Sequence, residues 1–304
     1  MQAFEVAVLS GDWSGLDAHF AETAFHSIEG GGPFGGRTVG RAAVIQGLRA
    51  GVDGIDRRFD LRIPEVIEGP VTRAGGVFMR FRLTLRRAGV PDLCIEGDHL
   101  ATYRDGAIAK LDERLADGTA HRVGAYLAAW GDHLRAAGSA FAAPREGADQ
   151  GALEAAVGRS LVRCYGAAKS EQDIGAALAV CSDGFSIDTV AFGIASRDRR
   201  DTAQQLALFF QSFPDYAVTL EGFANGPGNV ACWGRARMTF GGDLLGIRAT
   251  GKSAVLPVAC VIRAHDGQLH GERFFFDLAA VCEQIGVPVA TLADALRPLR
   301  TARG

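Results

Sequence analysis

Two Asp-Gly pairs, Asp105-Gly106 and Asp266-Gly267, each separate two runs of alternating side chains, and the same succession of elements leads up to both. Such a pair favours a two-residue hairpin turn, because Gly accepts a positive φ and Asp bonds its own backbone. Ahead of each turn the patterning gives short helices, a strand, a helix and then successive strands joined by turn signals. The recurrence implies an internal duplication, one fold used twice. The length of 304 residues agrees, since domains commonly hold ~100–200 residues.

In the first half, periodicity predicts short helices on either side of Gly11-Asp12, a strand near 25–28 and a helix over 41–50. Strands over 59–63, 77–85, 93–103 and 107–115 follow, then a helix over 121–137. The second half predicts helices over 153–168 and 173–181, a strand over 185–190 and a helix over 202–213. Strands over 216–223, 229–240, 253–263 and 268–276 complete it. Sequential strands with short turns make an antiparallel meander. Residues 141–151 have linker composition and no sustained period, which places one domain over 1–140 and the other over 152–304. The expected class is α+β, a curved sheet wrapped on helices in each half.

The formal net charge of −3 offers no electrostatic attraction to nucleic acid or to an anionic membrane. No apolar run is long enough to span a bilayer, and acids stand where a secretion signal would be basic, so the expected location is the cytoplasm. Six cysteines (Cys94, Cys164, Cys181, Cys232, Cys260, Cys282) have apolar neighbours and no C-x-x-C pairing. That is the pattern of reduced core thiols rather than of zinc ligands or a disulfide framework. His19, His121 and His133 fall on helices without a partner at metal-ligand spacing, and His265 flanks the second turn as a surface residue. Neither a metal nor a cofactor is therefore expected. Gly31-x-x-x-x-Gly36-Arg37-Thr38 imitates a phosphate-binding loop, but Arg replaces the lysine and no buried parallel strand leads in. A turn feeding the helix at Arg41 accounts for it.

Within 268–276, Leu269, Gly271, Arg273 and Phe275 alternate with His270, Glu272, Phe274 and Phe276, which sets a carboxylate among aromatic rings on one face. A carboxylate on an apolar wall is costly unless paired or protonated, which makes Glu272 a functional candidate.

Several stretches of the second half resemble, in order and spacing, the signatures of SnoaL-like polyketide cyclases. They are FPDY at 213–216, GIRATGK at 246–252, Arg263-x-x-Asp266-Gly267, and Asp277 followed by Glu283-Gln284-Ile285-Gly286. These cyclases belong to the nuclear-transport-factor-2-like superfamily, with ketosteroid isomerase and limonene epoxide hydrolase among their relatives. The resemblance covers nearly all of the second half. In the first half it rests on element order, the Gly40-Arg41 helix start and the Asp105-Gly106 turn. It implies a cone-shaped α+β barrel in each half, enclosing an apolar pocket. It also implies an acid/base pair, a histidine on the penultimate strand and an aspartate near the end of the last, commonly within a His-Trp-Asp run.

The second half reads Glu272-Arg273-Phe274 at that run, and Cys260 stands about where the histidine would be, so the family's aspartate is missing. Glu272, two residues away on the same face, can supply a carboxylate from a displaced position. Asp188, on the first strand where relatives often carry His, and Tyr165, a hydrogen-bond donor on the first helix, are further candidates. Counted from the Asp-Gly turn, the first half has Glu113 at the aspartate position and His99 at the histidine's, with His26 on the first strand to orient either.

Plainer readings stand beside these. Glu113, within Asp112-Glu113-Arg114, fits a solvated edge, and Asp98-His99 a surface pair. Trp233, Phe274 and Phe276 fit a core as well as a pocket wall. Arg235 and Arg237 can hold an anionic or carbonyl substrate only if the Trp233 face is concave. The reading that joins these residues is a cofactor-free acid/base enzyme, in which a Glu raised by an apolar pocket and a neutral His shuttle a proton. Its substrate is a small apolar, oxygenated molecule, and cyclisation, isomerisation, dehydration and epoxide opening all fit. The alternative is a module that only holds a ligand or makes a dimer surface. On either reading the two halves can form a pseudo-dimer within one chain, with a further homodimer open.

Overall fold

Both Asp-Gly pairs form the turn that their chemistry favours, with Asp105 at φ 51° and Gly106 at 79°, and Asp266 at 50° and Gly267 at 69°. They join β5 (Leu93–Arg104) to β6 (Ala107–Leu115) and β11 (Ser253–His265) to β12 (Gln268–Phe276). The same irregularity follows each turn. Tyr103 pairs with Ile108 and Thr102 with Lys110, leaving Ala109 as an extra residue. Ala264 pairs with Leu269 and Arg263 with Gly271, leaving His270. A bulge shifts the alternation by one residue. Leu269 is consequently buried on the same face as Glu272, where strict alternation would set the two on opposite faces.

The computed structural model describes residues 2–32, 35–73, 75–141 and 148–301. The chain divides into two units, Met1–Ala156 and Val157–Gly304. In the first, α1 (Gln2–Ser10) and a 3-10 turn (Ser14–His19) lead to β1 (Phe20–Glu29), β2 (Gly36–Val39) and α2 (Arg41–Gly54). Then come β3 (Leu61–Arg73), β4 (Gly76–Arg86), β5, β6 and α3 (Thr119–Trp130). The sheet order is β2-β1-β6-β5-β4-β3. β3 to β6 form the expected antiparallel meander, but β1 runs parallel to β6, so the sheet is mixed. It ends in two free edges, β2 and β3, and is curved and open rather than a closed barrel. β2 pairs antiparallel with β1, Gly36 opposite Ile28. Gly36-Arg37-Thr38 is thus extended strand rather than a loop opening directly into a helix, which begins only at Arg41, and this removes the phosphate-loop reading; residues 33 and 34 of that stretch lie outside the described residues.

The second unit repeats the plan. It contains α4 (Ala148–Ser170), whose first turns precede the boundary, then α5 (Ile174–Ala179), β7 (Ile187–Thr189), β8 (Ile194–Ala195) and α6 (Arg199–Ser212). β9 (Ala217–Gly226), β10 (Asn229–Thr239), β11, β12, α7 (Leu278–Ile285) and α8 (Val289–Thr301) follow. The order β8-β7-β12-β11-β10-β9 matches the first sheet strand for strand. Of the expected linker, residues 142–147 lie outside the described residues, and the chain is helical from Ala148. Asp277 accepts hydrogen bonds from the Ala279 and Ala280 N–H groups at the start of α7, and Gly286 at φ 72° ends it. The Asp-to-Gly spacing of that stretch is thus a helix with both ends capped. No single described helix is long and apolar enough to cross a membrane.

The two interiors differ. The second unit has one continuous apolar core running from Val162 to Leu296. In the first unit, one cluster gathers Val8, Trp13, Phe20, Ala24 and Val44, and another Phe59, Leu83, Leu85, Ile95 and Val123. Along β6, Leu111 packs on the first of these clusters and Leu115 on the second. Glu113 lies between them in sequence.

In β10 a register shift against β9 falls between Trp233 and Gly234. A Cβ on Gly234 would stand 1.9 Å from the Thr219 carbonyl oxygen. Gly234→Ala is expected to cost roughly 1–3 kcal/mol, as overpacking against backbone does. Urea denaturation measures it, and an unchanged midpoint would contradict this close approach.

Candidate functional site

Three strands bring His26, His99 and Glu113 together on the helix-covered face of the first sheet. His99 on β5 and Glu113 on β6 are direct cross-strand partners, and His26 on β1 lies beside Leu111 across the parallel ladder. His99 Nε2 is 3.4 Å and His26 Nε2 3.7 Å from the same oxygen, Glu113 Oε2. His26 is buried, and its Nε2 makes no hydrogen bond among the described residues. The His99 side chain is 28% exposed, and its ring centre lies 4.5 Å from that of Phe81. Neighbouring charges are occupied elsewhere. Asp98 accepts from Arg80 at 2.7 Å, and Asp112 accepts from Ser27 at 2.7 Å and pairs with Lys110 at 2.6 Å. Alternation separates these outer ion pairs from the inner triad, so Glu113 is not part of a solvated edge.

Burial raises the Glu113 pKa, but the imidazoles of His26 and His99 outweigh it and bring it down to about 2. This corrects the expectation of a carboxyl raised by an apolar pocket. Glu113 is an anion at neutral pH, and the proton-carrying groups that face it are imidazoles. The first unit also buries Arg62, which donates to Asp56 at 2.7 Å and to Glu5. Burial raises the Asp56 pKa against the opposing charge of Arg62.

Strand register identifies the equivalents in the second unit. Cys260 faces Phe274 as His99 faces Glu113, and Ile187 lies beside Glu272 as His26 lies beside Leu111. The carboxylate has moved two residues along the strand, and its surroundings differ. Glu272 is 2% exposed. It accepts from Tyr165 Oη at 2.7 Å, from Lys169 Nζ at 3.2 and 3.4 Å, and from Cys260 Sγ at 3.2 Å. Lys169 also lies 4.7 Å from the ring centre of Tyr165 and 5.4 Å from that of Phe274. Burial pushes the Lys169 pKa down, but Glu272 outweighs it and holds the ammonium above its ordinary range. Burial pushes Tyr165 well up and Tyr216 to about 12. The cavity left among Val162, Tyr165, Lys169, Tyr216, Cys260 and Glu272 measures about 20 Å³. That is room for about one water.

The remaining candidates are distributed by side-chain direction. Asp188 does not meet Glu272. Its register partner is Arg273, which it pairs with at 3.1 Å on the outer face, because Ile187 occupies the inward position. Trp233, 46% exposed, and Arg235, paired with Glu221 at 3.3 Å, are also on the outer face. Cys232, Gly234 and Ala236 point inward in their place. The Trp233 ring covers Gly222, where a Cβ would stand 2.2 Å from it. Phe274 lines the small cavity, while Phe276 packs edge-on against Phe192 at 5.2 Å. All six cysteines are free.

The sequence reading missed Lys169. A signal existed, since Val162, Tyr165 and Lys169 follow at i, i+3 and i+7 on one helical stripe, but the predicted helix ended at residue 168.

A family model described as SnoaL-like polyketide cyclase matches residues 159–285. Among solved structures, a protein with a ketosteroid isomerase-like fold from Catenulispora acidiphila DSM 44928, in complex with trimethylamine, is 15% identical with a TM-score of 0.39. It covers 43% of this chain and 95% of its own. A protein provisionally described as a SnoaL-like polyketide cyclase from Jannaschia sp. CCS1 is 21% identical, with a TM-score of 0.40 over 43% of this chain and 93% of its own. An NTF2-like protein from Burkholderia thailandensis E264 is 22% identical, with a TM-score of 0.35 over 41% of this chain and 93% of its own. No curated protein matches.

Two expectations follow from the charges. Lys169→Met leaves a buried carboxylate without its cation and should cost about 3–5 kcal/mol, whereas Lys169→Met with Glu272→Leu should recover most of the loss. Urea denaturation of both variants checks this, and a fully stable single variant would refute the pairing. Glu113 has a folded-state pKa of about 2, below the unfolded carboxyl at ~4.3. The stability it contributes is therefore present above the unfolded value and is lost as pH falls towards the folded one. Glu113→Gln should flatten that part of the acid-unfolding curve, and superimposable curves would contradict the shift.

Proposed function

We propose that this chain, whose second unit is a SnoaL-like domain and whose first unit repeats its topology, is an acid/base enzyme working in the first unit alone. The observation that carries this reading is the convergence of His26 and His99 on one oxygen of Glu113, with His99 still reachable from solvent. A carboxylate held ionised by two imidazoles is a poor proton donor but a good partner for an imidazolium. With Nε2–H of His99 directed at Glu113, Nδ1 is left as the basic nitrogen. A proton taken from a carbon or hydroxyl beside a carbonyl makes His99 an imidazolium, which Glu113 stabilises, and His99 then returns the proton at a second atom. The contact of 3.4 Å is long for a hydrogen bond, as catalytic contacts often are without substrate.

Phe81 beside His99 and Leu111 and Leu115 flanking Glu113 favour a small apolar, oxygenated substrate over a charged one. The match of the second unit to SnoaL-like polyketide cyclases supports a polyketide-like molecule, and cyclisation or isomerisation are the reactions that one proton relay serves. In the second unit a structural role is favoured by one observation: Lys169, Tyr165 and Cys260 already occupy Glu272.

Exchange of the α-protons of cyclic ketones with D2O, followed by proton NMR, tests the proposal without knowledge of the natural substrate. The full chain should accelerate exchange, Glu113→Gln should slow it by ~10²–10⁴, and Lys169→Met with Glu272→Leu should leave it unchanged. Exchange that survives Glu113→Gln but is lost in the second-unit variant would reverse the assignment. Ketone binding with no acceleration would favour a binding module.

A further inference from the structure

The hairpin between β11 and β12 carries a donor cluster that the acid/base reading does not use. His265, Asp266 and His270 can each offer one ligand atom within 4.8 Å of the other two. His265 Nδ1 is 2.9 Å from Asp266 Oδ2, and the two imidazoles stack at 3.7 Å between centres and 4° between planes. We infer that this hairpin is a binding site for a borderline divalent transition metal such as Zn²⁺.

Three features of the chain support the site. The donor set is two imidazoles and one carboxylate, the nitrogen-rich type that zinc and its neighbours prefer over magnesium and calcium. All three side chains are exposed or half-exposed at the turn, so an ion reaches them without disturbing the core. The positions are also fixed by backbone. Asp266 is locked at φ 50° in the turn, and the bulge at His270 brings that residue back over His265. The stacked rings lie in parallel planes, so both imidazoles must turn about their side-chain bonds to aim a ring nitrogen at one ion, and a tetrahedral ion with bonds of ~2.0–2.1 Å then sets the donors roughly 3.4 Å apart, a rearrangement open to side chains at an exposed turn. A fourth position would fall to water.

The duplication supplies an internal control. The first-unit hairpin has the same turn and the same bulge, with Asp105 in place of Asp266 but Arg104 in place of His265 and Ala109 in place of His270. Backbone geometry is shared, and only the imidazoles differ.

Calorimetric titration of the full chain with ZnCl2 near pH 7.5 tests the inference. One site in the micromolar range is expected, lost in His265→Ala and in His270→Ala and weakened roughly tenfold or more in Asp266→Asn, with no response to Mg²⁺ or Ca²⁺. Arg104→His with Ala109→His should add a second site of similar strength. The variants lie on exposed turns, and circular dichroism checks that they fold. No zinc uptake by the wild type would overturn the site, as would uptake unchanged in both alanine variants, which would place the metal on other donors such as the free thiols.

Discussion

A carboxylate on the helix-covered wall of a curved sheet cannot be left alone, because desolvation penalises its charge by far more than a fold of this size can absorb. Each unit of this chain has one on its last strand, and the rest of each interior follows from how that charge is met. The first unit meets it with two imidazoles. The second meets it with an ammonium, a phenol and a thiol. The same scaffold therefore holds its carboxylate in two chemically different settings.

The difference reaches into the packing. Where Lys169 crosses to Glu272, the apolar core is continuous and little space remains. In the first unit the corresponding helix is short, its Val8 is fully buried in one cluster, and a second cluster forms separately. His26, His99 and Glu113 occupy the face that supplies both clusters. Interrupting a core with polar groups weakens it as a core and is the usual form of a site.

Much of this was legible in the sequence because it depends on local chemistry. The Asp-Gly turns, the alternation along 107–115 and the helix start at Asp277 are set by residues next to one another. Counting from the turn places Glu113 and His99 at their two positions, but the turn alone, with Arg104 opposite Ala107, would pair Glu113 with Asp98, and it is the bulge at Ala109 that brings His99 opposite it. What failed depended on neighbours distant in sequence. Asp188 is a candidate partner for Glu272 in the sequence, but the parallel pairing sets Ile187, not Asp188, beside Glu272. Trp233 and Arg235 lie outside because β10 directs its small and apolar residues inward, a choice that no residue type reveals by itself. Burial alone would raise the Glu113 pKa, but imidazoles arrive from both β5 and β1 and lower it, and the one from β1 comes from a residue far away in sequence.

The proposed proton relay requires that a ligand enter the first interior and not the second. Backbone chemical-shift mapping of the full chain with millimolar cyclohexanone tests it directly. Shifts should gather around Phe81, His99, Leu111 and Glu113, with Tyr165, Lys169 and Glu272 unmoved. Shifts confined to the second group would contradict it.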